Sequence, residues 1–383
     1  MRLTRARLAR GLITTLLAGL GAGVTAGPVF ARQQAEPAKP SIEERLSRVA
    51  ADLFSRTDQA DANIAELKSI LAVDPRSAQA HMLLGIAYRT KGSSDLMGEA
   101  AGELRQALDI DPSLIPARLY LAHLYLDLAR PERAREELQA AIARTPGQPQ
   151  FIGLLAECER QLGDPRKALE LAGQALDINP ALAEARYYQG LALYDLKRRD
   201  EAIQAFEQVL QAGGRRPEVF ASLGAAYLEA GRLDEAIGCL TEGVKLDSSR
   251  PELLIPIIRA FRLKGQLATA DAALAHAKSV VGTGAVSGAE QQAQRDLALE
   301  EGLIRLKQNQ LTAAASSLRR VVDLDPNYGP GYRYLAEVYL RQGLYPRALD
   351  QATRAEKLGS PLPADLQKTL QEKLRASRPK GQA

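Results

Sequence analysis

The sequence predicts an all-α protein: a solenoid of about nine tandem helix–turn–helix units of 34 residues with a C-terminal capping helix. Three observations carry this. Prolines at Pro75, Pro112, Pro146, Pro180 and Pro326 keep a rhythm whose two middle intervals are both 34. The twentieth position of eight successive units is alanine: Ala100, Ala134, Ala168, Ala202, Ala236, Ala270, Ala314 and Ala348. Gly92, Gly163, Gly231, Gly265, Gly343 and Asn309 share a third position, where a first helix must stop in a left-handed turn.

The chain opens differently. Arg2, Arg5, Arg7 and Arg10 precede an uncharged run from Gly11 to Ala31, and no acid appears before Glu36. A basic start, an apolar stretch and small-x-small exits at Val24–Ala26 and Val29–Ala31 mark residues 1–31 as a secretory signal peptide. The run is also long enough to remain as an uncleaved anchor. Loss of residues 1–31 takes the formal charge from +4 to 0, which removes the electrostatic footprint expected of a nucleic-acid binder. Residues 32–43 are expected to be a flexible lead-in.

The solenoid is expected over residues 44–362. "LGAAYLEAGRLDEAIGCL", Leu223–Leu240, is typical: large residues at helical spacing, a stop at Gly231, then a second helix. The eighth position is small in most units (Gly85, Ala122, Ala156, Gly190, Gly224, Gly302, Ala336) and Ile258 in one, which lets paired helices cross closely. The eleventh is often aromatic, as at Phe54, Tyr88, Tyr125, Tyr227, Phe261 and Tyr339. Asp164-Pro165 reads as a cap followed by a first-turn proline. Extra residues near 92–95 and 282–290 read as loops. Residues 363–377, with Leu366, Leu370 and Leu374 on one stripe, form the capping helix, and 378–383 a loose tail.

These features resemble the tetratricopeptide repeat family, over residues 44–362. The resemblance implies a right-handed superhelix whose first helices line a concave face. It also implies that ligands meet the second, fifth, ninth, twelfth and thirteenth positions. Carried over, that face comprises Leu119, His123 and Leu126, then Glu157 and Arg160, then Tyr187, Leu191 and Tyr194. Farther along it holds Arg259 and Arg262, Leu303 and Leu306, and finally Arg333, Glu337 and Arg341. Tyr188 is the neighbour that could turn inward. Tyrosine and arginine are the residues most often dominant in binding, so the face suits an extended peptide or an acidic segment. Some family members clamp a chaperone's terminal carboxylate with Lys and Asn; Ile86, His123, Glu157 and Leu191 at the ninth positions depart from that pattern.

Nothing in the sequence resembles an active site. His81, His123 and His276 lie in separate units without a metal-binding motif, and Gly282–Gly288 lacks the Lys and Ser/Thr of a phosphate loop. Cys158 and Cys239 fall two repeats apart, too far to pair within a stack, and read as small packing residues. The expected protein is therefore non-catalytic, without cofactor or metal, and exported to the periplasm or held on the inner membrane by residues 11–31. Its leading role is a protein-binding scaffold of the bacterial envelope, as in secretion, pilus or polysaccharide-export assemblies. Two alternatives stay open: an envelope-polymer binding module with the tyrosines as stacking platforms, and an accessory subunit of an envelope enzyme.

Overall fold

From the third repeat onward, every first helix ends on a residue in the left-handed region. These are Ala129, Gly163, Lys197, Gly231, Gly265, Asn309 and Gly343, with φ between 52° and 87°. The next residue's N–H then reaches a carbonyl five residues back, as in Arg130 to Tyr125 (2.8 Å), Arg198 to Leu193 (2.9 Å) and Arg232 to Tyr227 (2.9 Å). This closes the helix and aims the chain into its antiparallel partner. Ala129 and Lys197 adopt the turn without glycine, at a cost of about 1 kcal/mol. Hairpin packing outweighs that cost.

The computed structural model describes residues 40–55, 59–91, 94–282 and 288–377. The expected signal peptide, most of the lead-in, Gly92, the centre of the second insertion and the tail lie outside the described residues. Two bodies are distinguished, divided between Arg215 and Arg216. The first holds α1 (Ile42–Ser55), α2 (Ala60–Val73), α3 (Ala78–Lys91), α4 (Ser94–Ile110), α5 (Ile115–Asp127), α6 (Pro131–Arg144), α7 (Pro149–Gln161), α8 (Pro165–Ile178), α9 (Ala183–Asp195) and α10 (Arg199–Gln211). The second holds α11 (Pro217–Glu229), α12 (Leu233–Leu246), α13 (Pro251–Leu263), α14 (Leu267–Val281), α15 (Ala289–Lys307), α16 (Leu311–Leu324), α17 (Gly329–Arg341), α18 (Tyr345–Lys357) and α19 (Ala364–Ala376). No strand forms among the described residues. The all-α repeat fold read from the sequence is the fold observed. Within each body consecutive helices pack as antiparallel pairs, and each second helix packs on the first helix of the next pair.

The core of each hairpin is a small residue meeting a large one. All eight twentieth-position alanines are fully buried. A Cβ built on Gly190 would lie 2.5 Å from the Phe206 ring, and one on Gly224 would lie 2.4 Å from Leu240. Ala122 faces the same task opposite Leu138, and both are fully buried. The tyrosines at the eleventh position fill the space above. Tyr88, Tyr125, Tyr227 and Tyr339 are buried, and the hydroxyls of Tyr125 and Tyr339 accept hydrogen bonds from Arg105 and Arg319 Nε at 3.0 and 3.1 Å.

At five boundaries between repeats the turn is braced by an acid or amide one residue before the proline position. Asp74, Asp111, Asn179, Asp247 and Asp325 each accept, through Oδ1, the backbone N–H two residues on, at 2.9–3.2 Å. Such a side chain mimics a backbone turn. It persists at Asp247, where serine follows instead of proline. There burial raises the carboxyl's pKa, but the Ser249 bonds and Arg250 outweigh it and bring it to about 2. The fourth-position side chain adds a second tie. His81 Nε2, Arg118 Nη2, Arg186 Nη2 and Tyr332 Oη each bond the proline carbonyl six residues earlier, at 3.1–3.3 Å.

Three local details differ from expectation. The chain becomes helical at Ile42, because Ser41 and Glu44 bond each other's backbone N–H in a reciprocal cap (3.2 and 2.8 Å). Ser94 and Asp95 belong to α4 and not to a loop. The second insertion in part lengthens α15 to 19 residues, and Gln291 on its added turns donates to the Leu324 carbonyl at 2.7 Å. At the C-terminal end α19 places Leu370 in the core, with Leu366 and Leu374 partly buried beside it.

Ala129→Gly is expected to raise stability by about 1 kcal/mol, read as a higher midpoint in urea, because glycine adopts the left-handed turn without strain. Gly190→Ala should lower it by about 1–3 kcal/mol through overpacking against Phe206, and the loss should shrink in a Gly190→Ala/Phe206→Leu double variant.

Candidate functional face

The helices α5, α7 and α9 carry the expected contact residues of the first body. Leu119 is buried, whereas His123 and Leu126 are half-buried. Glu157 is buried and is gripped by Arg160 through both Nε and Nη2, each at 2.8 Å. Arg160 Nη1 also reaches Asp195 on the next first helix at 2.9 Å. Arg89 and Asp127 make the same connection two repeats earlier in this body, at 2.9 Å. In both pairs an arginine at the twelfth position meets an aspartate at the thirteenth position of the following repeat. Tabulating charges by repeat position reveals this pairing; reading each repeat alone does not.

The aromatic residues divide between packing and surface. The Tyr187 ring lies 5.8 Å from Phe206 and 5.9 Å from Tyr188, tilted to both. It therefore covers the ring that Gly190 admits, as part of the hairpin's own packing. Tyr188 packs against Ala156, Ala168, Ala172 and Ala192, the inward turn expected of it. Tyr194 carries Lys197 Nζ over its ring at 5.5 Å, and Leu191 is half-buried beside it.

In the second body α13, α15 and α17 hold the rest. The sequence leaves Arg259 and Arg262 as open cations, but the structure supplies their counter-ion. Glu300, 1% exposed, accepts Arg259 Nε at 2.8 Å and Arg262 Nε at 2.6 Å. Arg262 is itself buried, so this pair is internal architecture, while 43% of the Arg259 side chain remains exposed. Leu303 and Leu306 are buried. Arg341 Nη2 bonds Glu337 at 2.6 Å. The Arg333 guanidinium stacks on Tyr334 at 4.5 Å, and among the described residues its buried Nε meets no hydrogen-bond partner. Sequence reasoning missed Glu300, whose signal is an acid at the sixth position, where other units carry Val, Leu, Tyr, Ser or Pro.

The remaining reactive groups have structural roles. His81 Nδ1 pairs with Glu103 at 2.6 Å, and His276 Nε2 meets the Ser248 carbonyl at 3.1 Å. Neither Cys158 nor Cys239 forms a disulfide among the described residues. Burial pushes the Cys158 thiol up to about 12, and the Cys239 Sγ lies 3.5 Å from the Phe220 carbonyl. Among the described residues no three His, Cys, Asp or Glu side chains are grouped to hold a metal ion. No described helix is long and apolar enough to cross a membrane.

This geometry has known counterparts. Two family models, each described as tetratricopeptide repeat, match residues 97–158 with 193–255 and residues 49–115 with 299–363. The chain belongs to the tetratricopeptide repeat family. A further model, described as anaphase-promoting complex, cyclosome, subunit 3, matches residues 138–209. The type IV pilus assembly protein PilF of Pseudomonas aeruginosa is 28% identical over 144 residues, 37% of this chain. The match spans 55% of that relative, just over half its length. The anaphase-promoting complex hetero-tetramer Cut9–Hcn1 superposes with a TM-score of 0.65 at 14% identity, over 88% of this chain and 67% of that one. A thermophilic tetratricopeptide repeat protein of Thermus thermophilus is 26% identical, covering 48% of this chain and 99% of its own, with a TM-score of 0.43. A tetratricopeptide repeat array is a protein-binding scaffold, and this chain is one.

Glu300→Ala is expected to destabilise the second body by about 3–5 kcal/mol, since Arg262 would be left buried without a counter-ion. Arg259→Ala, which leaves Arg262 on Glu300, should cost less than about 1 kcal/mol. Chemical denaturation of the two variants separates them, and equal losses would contradict the assignment.

Proposed function

We propose that the chain is an exported, non-catalytic scaffold of the bacterial cell envelope. It holds a segment of a protein partner against its first-helix face within a pilus-assembly or related secretion machine. The observation that carries this reading is the division of labour along the first helices. The eighth-position residues and the eleventh-position tyrosines are sealed in the core, while the fifth, ninth, twelfth and thirteenth positions keep a row of half-buried and exposed polar, aromatic and cationic side chains. His123, Leu126, Leu191 and Tyr194 form that row in the first body; Arg259, Arg333, Glu337 and Arg341 form it in the second. Leu119, Glu157, Arg160, Tyr187 and Arg262 support it from below.

Two further facts favour the envelope. Residues 1–31 have the charge and hydropathy pattern of an export leader. The relative PilF is, by name, a type IV pilus assembly protein.

The full-length chain with a C-terminal tag, cross-linked in intact cells and recovered from solubilised envelopes, should bring down a defined envelope-assembly protein. A fusion of residues 1–40 to alkaline phosphatase should be active, as it is only after export. An inactive fusion, or recovery of cytoplasmic partners alone, would sink the proposal.

A further inference from the structure

Of the fourth-position side chains that tie a repeat to the turn before it, one can change its charge near neutral pH. His81 Nδ1 lies 2.6 Å from Glu103 Oε2, and its Nε2 lies 3.1 Å from the Pro75 carbonyl oxygen. A carboxylate and a carbonyl offer only lone pairs, so each needs an N–H from the ring. A neutral imidazole has one N–H and would set its bare nitrogen against an oxygen. Only the doubly protonated ring satisfies both contacts.

The third repeat holds the same bridge in a form that cannot titrate. Arg118 Nη1 meets Glu137 at 3.1 Å, and Nη2 meets the Pro112 carbonyl at 3.2 Å. Glu103 and Glu137 share the twenty-third repeat position. The two bridges are also equally enclosed, with His81 and Glu103 13% and 27% exposed against 11% and 27% for Arg118 and Glu137. Glu66 has that position in the first repeat, where Arg45 and Arg48 hold it. Three successive glutamates thus meet a cation, and only the middle cation is a histidine. Arg144 gives the Pro112 carbonyl a second donor at 2.9 Å, whereas the matching residue in the second repeat is Ile110.

The other charged groups around the ring belong to four helices and a turn. On α2, Lys68 stands over the Tyr88 ring at 5.7 Å, within electrostatic reach of Glu99 and Glu103 on α4. Asp74 and Arg76 flank Pro75 in the turn; Arg45 and Arg48 of α1 are taken by Glu66, and Arg118 of α5 by Glu137. Carboxylates, lysines and arginines keep their charge between about pH 5 and 8, and an imidazole does not.

The bridge joins α3, α4 and the turn between α2 and α3, so it fixes the connection that carries the first hairpin onto the second repeat. That hairpin has a weak point of its own. Its twentieth position is Asn63, where the other eight units have alanine. Asn63 is buried, and among the described residues its Nδ2 meets no hydrogen-bond partner, which is costly.

We propose that His81 is a proton-dependent brace that fastens the first hairpin to the second repeat at low pH and slackens as pH rises past neutrality. Since the bridge is complete only with both ring protons in place, its contribution to stability is full at low pH and falls as the ring loses one. This holds whatever partner the scaffold takes.

The test uses the full chain with isotopically labelled histidine, whose three ring signals are assigned by replacing each histidine in turn. At about pH 6 both His81 ring nitrogens should carry protons, and Glu103→Gln should hold the second proton about tenfold less tightly. Hydrogen exchange read by mass spectrometry then compares the parent with His81→Arg, which installs the bridge of the third repeat. Comparison at one pH cancels the intrinsic exchange rates. The segment from α2 to α4 should exchange alike in both at about pH 5.5 and about tenfold faster in the parent at about pH 8.5, with α7 and α8 unchanged. If His81→Arg does not fold, Glu103→Gln replaces it. That variant should exchange fast at both pH values, with the parent joining it only at the higher.

A His81 ring with a single proton at about pH 5.5 would overturn the proposal, as would a second proton held equally well in Glu103→Gln. So would parent and His81→Arg exchanging alike at both pH values, or faster exchange of the parent spread evenly through α7 and α8.

Discussion

The repeat depends on one contact: the two helices of a hairpin approach until a large side chain on the second occupies the space that a missing or minimal side chain on the first leaves open. Phe206 over Gly190 and Leu240 over Gly224 are its clearest instances, with separations that even a methyl group would violate. The buried alanine at the twentieth position works from the other side. Together they bring the helices close enough for large residues to interdigitate, and full burial of a side chain such as Phe206 or Leu240 contributes roughly 2–3 kcal/mol. Ile258 shows the tolerance of the design, since that hairpin keeps a large residue at the eighth position beside Leu274 and both remain buried.

The polar features follow from that spacing. Helices packed so closely need a tight and repeatable connection, which the left-handed residue supplies within a hairpin. The Asp or Asn turn supplies it between hairpins. Both leave backbone groups satisfied by local bonds, so the sequence between them is free to vary. The first helices can then carry different residues at their outward positions from repeat to repeat without disturbing the stack. Such latitude is the physical basis for a scaffold that recognises a partner.

Charge is the second constraint on that surface. Most arginines that could face a ligand are already matched: Arg160 by Glu157 and Asp195, Arg262 by Glu300, Arg341 by Glu337. These pairs cross-brace successive first helices or lie within one. They reduce the surface's general attraction for anions.

Fold class and repeat register were legible in the sequence because packing in a repeat array is local and recurs: Ala134, Gly163 and Gly231 mean the same thing each time they appear. The inward turn of Tyr188 was legible for the same reason. Counter-ions were not. Glu300 lies 38 residues from Arg262 and Asp195 lies 35 from Arg160, and each pair forms only when neighbouring repeats stack. The αL turns at Ala129 and Lys197 were hidden too, since neither residue favours that conformation and only the packed hairpin enforces it. Sequence alone therefore determined which helices form and how they pair. Tertiary structure decided which outward side chains are consumed by their neighbours and which remain available, because burial and ion pairing depend on the adjacent repeat and not on the residue itself.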